Sequence, residues 1–172
     1  MEKPKVLITK ERIHERVEAL GQEINRDYSG TTITVIGILK GSIVFLADLI
    51  RQIHVPLFID FVEVSTYGDD TKSSGVVKII KDLSHSIEGH DVLVVEDIID
   101  SGLTMEYILK NLQTKKPRSL KVCAFLEKPV NVKNKIKIDY KGFTIEDKFV
   151  IGYGLDYKGF MRNLDYVGYL ET

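Results

Sequence analysis

Residues 92–104 read VLVVEDIIDSGLT, and this stretch decides how the fold is interpreted. The four apolar residues at its start are typical of a strand buried on both faces, as in a parallel sheet. Two acidic residues, Glu96 and Asp97, follow at the carboxyl end of this predicted strand. Ser101 and Gly102 then open a predicted helix, and a strand that enters a helix through such a loop indicates an α/β fold.

The loop between this strand and helix carries groups that suit a phosphorylated sugar. Ligands of open α/β sheets bind beyond the carboxyl ends of the strands, and a helix N-terminus attracts phosphate through its unpaired N–H groups. Glu96 and Asp97 suit sugar hydroxyls or Mg²⁺, and Asp100 is placed for proton transfer. The residues expected to hold phosphate are Ser101, Gly102 and Thr104. Each part alone fits an ordinary solvated loop, but the whole combination favours a binding site.

Predicted strands and helices alternate on both sides of this stretch. The apolar runs that predict strands are residues 5–8, 31–39, 57–65, 76–81, 91–96, 120–126 and 149–153. Helices are predicted behind a Thr9 cap, over residues 43–53 behind a Ser42 cap, and over residues 103–112. This alternation predicts a mainly parallel, twisted sheet flanked by helices. The tail, residues 130–172, could form a small flap over one end of that sheet.

The composition is that of an ordinary globular chain with little net charge. It has 172 residues, 44% of them hydrophobic, with 24 Lys and Arg against 25 Asp and Glu. This balance excludes the basic surface of a general nucleic-acid binder, so an anionic ligand needs a local site. No apolar stretch approaches the roughly 20 residues of a membrane helix, and the N-terminus lacks the apolar core of a secretory signal. A single cysteine, Cys123, excludes an intrachain disulfide, and we expect a cytoplasmic protein.

The loop after the VLVV strand closely resembles the phosphoribosyl-diphosphate (PRPP) signature of the type I phosphoribosyltransferases. The resemblance extends over nearly the whole chain and implies that family's α/β fold, as one domain over residues 1–172. Its small hood would come from the N-terminal segment and about residues 130–172. Within the signature, Asp100 would be the catalytic base. Leu103 stands where some relatives carry a basic residue, so phosphate binding would depend on backbone N–H groups, Ser101 and Thr104.

Two further loops resemble parts of the hypoxanthine-guanine branch of this family. Leu39, Lys40 and Gly41 follow a buried strand and match a loop that binds pyrophosphate, often with a non-proline cis peptide before the lysine. Residues 65–75 match a flexible lid that keeps water away from the reacting groups. Without the resemblance, the first loop would be interpreted as an ordinary turn and the second as a hairpin tip.

The C-terminal part of the chain holds the residues that would recognise a base. By resemblance, Lys128 would donate to the 6-oxygen of a 6-oxopurine, and the ring of Phe149 would stack on the purine. The backbone of Val150 would read the edge of the base. From sequence alone, the alternatives are a surface lysine and a plain core aromatic.

The resemblance also implies a metal site and a pyrophosphate contact. Arg162 would contact pyrophosphate, and Asp156 would line the base pocket. The cofactor implied is Mg²⁺, and the carboxylates that would hold it are Glu96, Asp97 and Asp156.

Together these motifs imply a purine-salvage enzyme that transfers the 5-phosphoribosyl group from PRPP to N9 of hypoxanthine or guanine. The products would be IMP or GMP and pyrophosphate, with neither nucleic acid nor membrane as a partner. The family usually forms dimers or tetramers, so a homodimer or homotetramer is expected. Two other hypotheses stay open: a regulator that binds PRPP without catalysis, and an enzyme of this fold that acts on xanthine, adenine or a pyrimidine.

Overall fold

A computed structural model of the chain describes residues 4–66, 77–129 and 136–170. The helices in these ranges are α1 (Lys10–Asp27), α2 (Ile43–Gln52) and α3 (Leu103–Thr114). The strands are β1 (Lys5–Ile8), β2 (Ile33–Leu39), β3 (Leu57–Thr66), β4 (Val77–Lys81), β5 (Asp91–Ile99), β6 (Ser119–Glu127), β7 (Tyr140–Thr144), β8 (Val150–Ile151) and β9 (Val167–Tyr169). None of these helices is long and apolar enough to cross a lipid bilayer.

A six-stranded sheet forms the centre of the molecule, with the order β4-β3-β2-β5-β6-β7. All neighbouring pairs are parallel except β3 with β4, which is antiparallel. The predicted α/β fold with a mainly parallel sheet is therefore confirmed. Because the central strands are parallel, the loops that follow β2, β5 and β6 leave the sheet at the same edge.

Helices cover both faces of this sheet, which is why the middle part of β5 is apolar. On one face, α1 and α2 pack against β-sheet residues that include Leu93 and Val95. On the other, α3 packs against Val92 and Val94. These four consecutive residues of β5 are all fully buried, as expected of a strand with helices on both sides.

A second, antiparallel sheet joins the two ends of the chain, in the order β1-β9-β8. Lys5 of β1 and Val150 of β8 both pair with Tyr169 of β9. The strand predicted over residues 149–153 is reduced to Val150–Ile151. It ends there because Gly152 and Tyr153 have positive φ angles of 91° and 49°, which bend the backbone out of the extended form.

Two local predictions at the sheet's binding edge need correction. The strand predicted to end at Glu96 continues to Ile99, paired with β6, so the acidic pair lies inside the strand and not after it. Ser42 stands before α2, but its hydroxyl donates to the carbonyl of Ile38 at 2.6 Å and does not cap the helix. Thr9, by contrast, does cap α1, accepting from the Arg12 N–H at 3.4 Å.

Candidate active site

The PRPP-like signature lines a cavity of about 150 Å³ at the carboxyl edge of the large sheet. Its walls come from residues 96–102, Thr104 and Met105. Glu96 and Asp97 both line this cavity, and Asp97 is near enough to influence the charge of Glu96.

Glu96 is held in an environment that does not favour its charge. Its Oε2 atom is buried and has no hydrogen-bond partner within the described part of the chain. Burial, and secondarily the neighbouring charge of Asp97, raises the pKa of Glu96 well above its usual value. A buried carboxyl oxygen that lacks a partner at a cavity wall is suited to accept a hydrogen bond from a ligand hydroxyl or to bind a cation.

Asp97 fixes the contact between β5 and the loop after β2. One carboxylate oxygen accepts from the Ile98 N–H at 2.8 Å. The other lies where a Cβ on Gly41 would stand, and the carbonyl of Gly41 lies where a Cβ on Gly154 would stand. Because Gly154 also has a φ of 99°, both glycines are required for this close approach of three chain segments.

The Lys40 loop runs along this same edge. The peptide bond between Leu39 and Lys40 is cis, as the resemblance implies. The Lys40 side chain is exposed and its ammonium lies 3.9 Å from a carboxylate oxygen of Glu63 on β3. The backbone of the loop, which packs against Asp97, is thus fixed, while the lysine side chain remains accessible to an anionic ligand.

The start of α3 is shaped for an anion. Gly102 stands at the N-cap with a φ of 79°, and its neighbour Ser101 accepts from the Leu103 N–H at 3.4 Å through its hydroxyl. The first N–H groups of a helix lack intrahelical partners, and Thr104 adds a hydroxyl at the cavity wall. Leu103 adds no charge, so any phosphate here would be held by dipoles and hydrogen bonds.

Lys128 is buried, and the alternative of a surface lysine is wrong. Its side chain is only 9% exposed, and its ammonium lies 3.8 Å from Oδ2 of Asp100 and 3.6 Å from Oδ1 of Asp147. The Lys128 N–H donates to the Ile99 carbonyl at 2.9 Å, which fixes the lysine beside Asp100. The structure therefore brings the predicted base and the predicted purine contact together.

Asp147 is the residue that sequence reasoning missed. It lies in residues 145–148, IEDK, where three consecutive charged residues are typical of a solvated turn. Nothing in the local spacing relates it to Lys128, and only the packing of β7 beside β6 brings the two together.

Phe149 is not a core aromatic, so that alternative is also wrong. The residue is 58% exposed, and its ring meets the ring of Tyr157 edge-to-face, with centroids 6.0 Å apart. Val150, the next residue, is buried in β8. An exposed ring on a fixed backbone offers a flat apolar face that a planar ligand can stack on.

Asp156 and Arg162 lie together on a C-terminal turn. Arg162 forms an ion pair with Asp156 at 2.7 Å and donates to the Gly154 carbonyl at 2.6 Å. Asp156 also accepts from the Gly159 N–H at 2.7 Å. Within the described ranges, no group of three or more acidic, histidine or cysteine side chains forms a ready metal cage, so the structure does not assemble the three predicted carboxylates as one set.

The remaining carboxylates still fit a magnesium ion. Mg²⁺ binds through one or two carboxylates together with water and substrate phosphates, and needs no complete protein cage. The partnerless oxygen of Glu96, beside Asp97, is such a partial ligand set. The lid predicted from residue 65 onward lies, over residues 67–75, outside the described residues.

Comparisons with known proteins agree with this geometry. A model of the phosphoribosyl transferase domain family matches residues 8–158. The hypoxanthine-guanine phosphoribosyltransferase of Bacillus subtilis is 50% identical over 167 residues, which are 97% of this chain and 93% of that protein.

Solved structures of the same kind superpose closely on the chain. A hypoxanthine-guanine phosphoribosyltransferase from Bacillus anthracis, with a HEPES molecule in its active site, has a TM-score of 0.94 and 44% identity, over 99% of this chain and 100% of that one. A hypoxanthine phosphoribosyltransferase from Staphylococcus aureus has a TM-score of 0.93 and 46% identity, over 97% of this chain and 91% of that one. The signature loop, the parallel sheet that carries it and these relatives lead to one conclusion: the chain belongs to the type I phosphoribosyltransferases, in their hypoxanthine-guanine branch.

Proposed function

We propose that the protein transfers the 5-phosphoribosyl group of PRPP to N9 of hypoxanthine or guanine, in purine salvage, giving IMP or GMP and pyrophosphate. The observation that carries this proposal is the meeting of Asp100, at the wall of the signature cavity, with the buried ammonium of Lys128, 3.8 Å away. A proton acceptor thus lies between a phosphate cradle and a donor that can recognise a base.

The sugar phosphate would bind in the signature cavity. Its 5-phosphate would take the N–H groups at the start of α3, with Ser101 and Thr104 as hydroxyl partners and Gly102 allowing close approach. The ribose hydroxyls would donate to Glu96 and Asp97, whose carboxylates flank the same cavity. A sugar hydroxyl would give the buried oxygen of Glu96 the partner that the protein leaves open.

The base would bind between Lys128 and Phe149. The Lys128 ammonium would donate to the 6-oxygen of the purine. Adenine carries a 6-amino group in place of that oxygen, and this group cannot accept the hydrogen bond. The exposed ring of Phe149 would stack on the purine, a contact worth about 1–3 kcal/mol. The backbone of Val150, fixed in β8, would read the edge of the ring.

Asp100 would act as the general base. The bond between the anomeric carbon and the pyrophosphate oxygen breaks, the electron pair leaves with pyrophosphate, and N9 of the base bonds to the same carbon while Asp100 takes the N9 proton. A positioned base contributes about 10²–10⁴-fold to such a step. The carboxylate also favours the positive charge that develops on the sugar.

The leaving pyrophosphate would be met at the Lys40 loop. Backbone groups at Lys40 and Gly41 and the guanidinium of Arg162 supply the positive ends that a dense anion needs. Mg²⁺, when bound, would neutralise phosphate oxygens, and Glu96 and Asp97 would hold it at the cavity wall. Asp156, which pairs with Arg162, is not part of this ligand set.

The setting of the reaction follows from the same features. We propose that residues 1–172 act as one domain, with the β1-β9-β8 sheet as the hood over the base site. We further propose a homodimer or homotetramer in the cytoplasm, the location that the single, buried Cys123 favours.

Initial rates with PRPP and a panel of free bases test the function. Hypoxanthine and guanine should turn over in the presence of Mg²⁺ and stop turning over when the metal is chelated. Adenine and uracil should react far more slowly, because neither offers a purine 6-oxygen to Lys128. Binding of PRPP without turnover of any base would contradict the proposal and favour a regulator instead.

A further inference from the structure

Asp147 makes a contact to Lys128 that the roles assigned above do not require. Its Oδ1 atom lies 3.6 Å from the Lys128 ammonium, slightly nearer than Oδ2 of Asp100 at 3.8 Å. The side chain of Asp147 is itself about half exposed, at 56%, whereas that of Lys128 is 9% exposed. A buried cation is therefore shared between two carboxylates at the mouth of the base site.

The backbone holds these three side chains in place. The Lys128 N–H donates to the Ile99 carbonyl at 2.9 Å, which places the lysine next to Asp100. The Ile145 N–H donates to the Glu127 carbonyl at 2.9 Å, which places the turn that holds Asp147 next to the same lysine. The three groups thus follow the paired ends of β5, β6 and β7, so their proximity comes from the sheet itself.

The distances show what the shared arrangement does to the ammonium. Both separations exceed the roughly 2.7–2.9 Å of a charge-assisted hydrogen bond, so the ammonium lies between the two carboxylates and is bonded tightly to neither. Lysine has a flexible four-carbon stem and three donors. With a single acidic neighbour, it would close onto that neighbour and its donors would be directed there.

We propose that Asp147 is a positioning residue that holds the Lys128 ammonium away from Asp100. This leaves one donor of Lys128 directed to the 6-oxygen of a purine and keeps the Asp100 carboxylate available as proton acceptor. The inference rests on the proposed function and deepens it, because it makes a residue outside the PRPP-like signature set the preference for 6-oxopurines.

The variant that tests this is Asp147→Asn, which keeps the size of the side chain and removes its charge. The ammonium should then close onto Asp100. We expect the KM for guanine to rise about tenfold, the size of one hydrogen bond to a charged group, with the KM for PRPP nearly unchanged. The preference for guanine over adenine in kcat/KM should fall by a similar factor. Asp147→Glu should restore most of both quantities.

A matched control lies next to it in the same turn. Glu146 is 82% exposed and pairs with Lys148 at 3.1 Å, away from Lys128. Glu146→Gln removes one negative charge from the same turn, and it should leave both the KM for guanine and the base preference unchanged.

Competition assays separate positioning from simple damage to the hood. In the Asp147→Asn enzyme, inhibition by a competing 6-oxopurine should weaken about tenfold, whereas inhibition by unsubstituted purine should not change. Equal weakening of both, or an unchanged base preference in a folded variant, overturns the inference while the wild-type enzyme remains active. A wild-type protein that transfers phosphoribose to no purine overturns the proposed function, and this inference with it. Asp147→Ser gives a second neutral variant for the same measurements if Asp147→Asn does not fold.

Discussion

Strand β5 carries a carboxylate near each end, and the molecule treats the two in opposite ways. At the amino end, Asp91 accepts from Nε and Nη2 of Arg118 and from the Ser119 hydroxyl at 2.7 Å. Near the carboxyl end, Oε2 of Glu96 is buried without a hydrogen-bond partner in the described part of the chain. The hydrogen bonds from Arg118 lower the pKa of Asp91, whereas burial raises the pKa of Glu96 well above its usual value.

This difference shows where the fold is stabilised and where it is left incomplete. A carboxylate whose hydrogen-bond partners are all supplied by the protein has no free acceptor site for a ligand, and it contributes to the stability of the fold. A carboxylate without a partner makes the unliganded protein less stable but can contribute binding energy when a ligand arrives. The amino edge of the sheet is therefore built for stability and the carboxyl edge for binding, which matches the rule that open α/β sheets bind at their carboxyl edge.

The largest effect should come from Asp100 at the carboxyl edge. Asp100→Asn keeps the shape of the side chain but cannot take a proton, so kcat should fall about 10²–10⁴-fold. The KM for PRPP should change little, because the phosphate cradle does not depend on this carboxylate. Steady-state kinetics with varied PRPP and guanine measure both quantities, and an unaltered kcat would remove Asp100 from the role of base.

Lys128 should give the next largest effect. Lys128→Ala removes the donor for the 6-oxygen and leaves Asp100 and Asp147 without their shared cation, so the guanine-to-adenine ratio of kcat/KM should fall about 10–100-fold. Lys141→Met is the control, since that lysine is exposed and pairs with Glu127 at 2.9 Å. A variant at Lys128 that kept the wild-type preference would contradict its assignment to the base.

The amino edge should respond in stability and not in rate. Asp91→Asn should lower the free energy of unfolding by about 2 kcal/mol at pH 7, with kcat and KM unchanged. The pKa of Asp91 is lowered in the folded state, so its contribution is present above the usual pKa of 3.8 and is lost as the pH falls through the folded value. Urea unfolding at pH 7 and pH 3 should therefore show the gap between wild type and variant becoming smaller in acid.

An exposed ion pair provides the control for Asp91. Lys10 and Asp165 lie 3.5 Å apart with side chains 63% and 67% exposed. Asp165→Asn should change stability by less than about 1 kcal/mol, because solvent screens such pairs. If both variants destabilised equally, the burial of Asp91 would not be what gives its ion pair value.

Local patterns predicted the centre of the molecule well because its strands are buried on both faces. The VLVV run of β5 predicts a buried strand because its side chains are apolar on both faces. The glycine and hydroxyl residues after it predict the start of a helix. The same reasoning missed β7 and β9, which are short and interrupted by Gly142 and Gly168. β7 is recognised only by its pairing with β6, and β9 only by its pairing with β8 and with β1 from the other end of the chain, so no local periodicity indicates them.

The environment of site residues was the least accessible from sequence. The signature identified which residues matter at the carboxyl edge, but the burial of Lys128 depends on Ile99 and on a turn that follows β7. The exposure of Phe149 likewise follows from its place just before β8. The pairing with β9 begins only at the next residue, Val150. Both are properties of tertiary contacts and not of residue type or spacing.

Glu96 should show the smallest effect and the one that most sharpens the contrast with Asp91. Its pKa is raised in the folded state, so the folded protein binds this proton more tightly than the unfolded chain does. The resulting stability is full below the usual pKa of 4.5 and is lost as the pH rises through the folded value, the reverse of Asp91. Glu96→Gln does not titrate, so at pH 8 it should be more stable than wild type, while its KM for PRPP rises.

Unfolding in urea at pH 5 and pH 8 measures this directly, with the exposed Glu88→Gln as a control that should shift neither value. A Glu96→Gln variant that was less stable than wild type at pH 8 would mean that the protein supplies this carboxylate with a partner after all. The carboxyl edge would then be as complete as the amino edge, and its acidic pair would no longer be explained by the ligand that it receives. A gain in stability combined with weaker PRPP binding would instead assign the unpartnered carboxylate to the substrate.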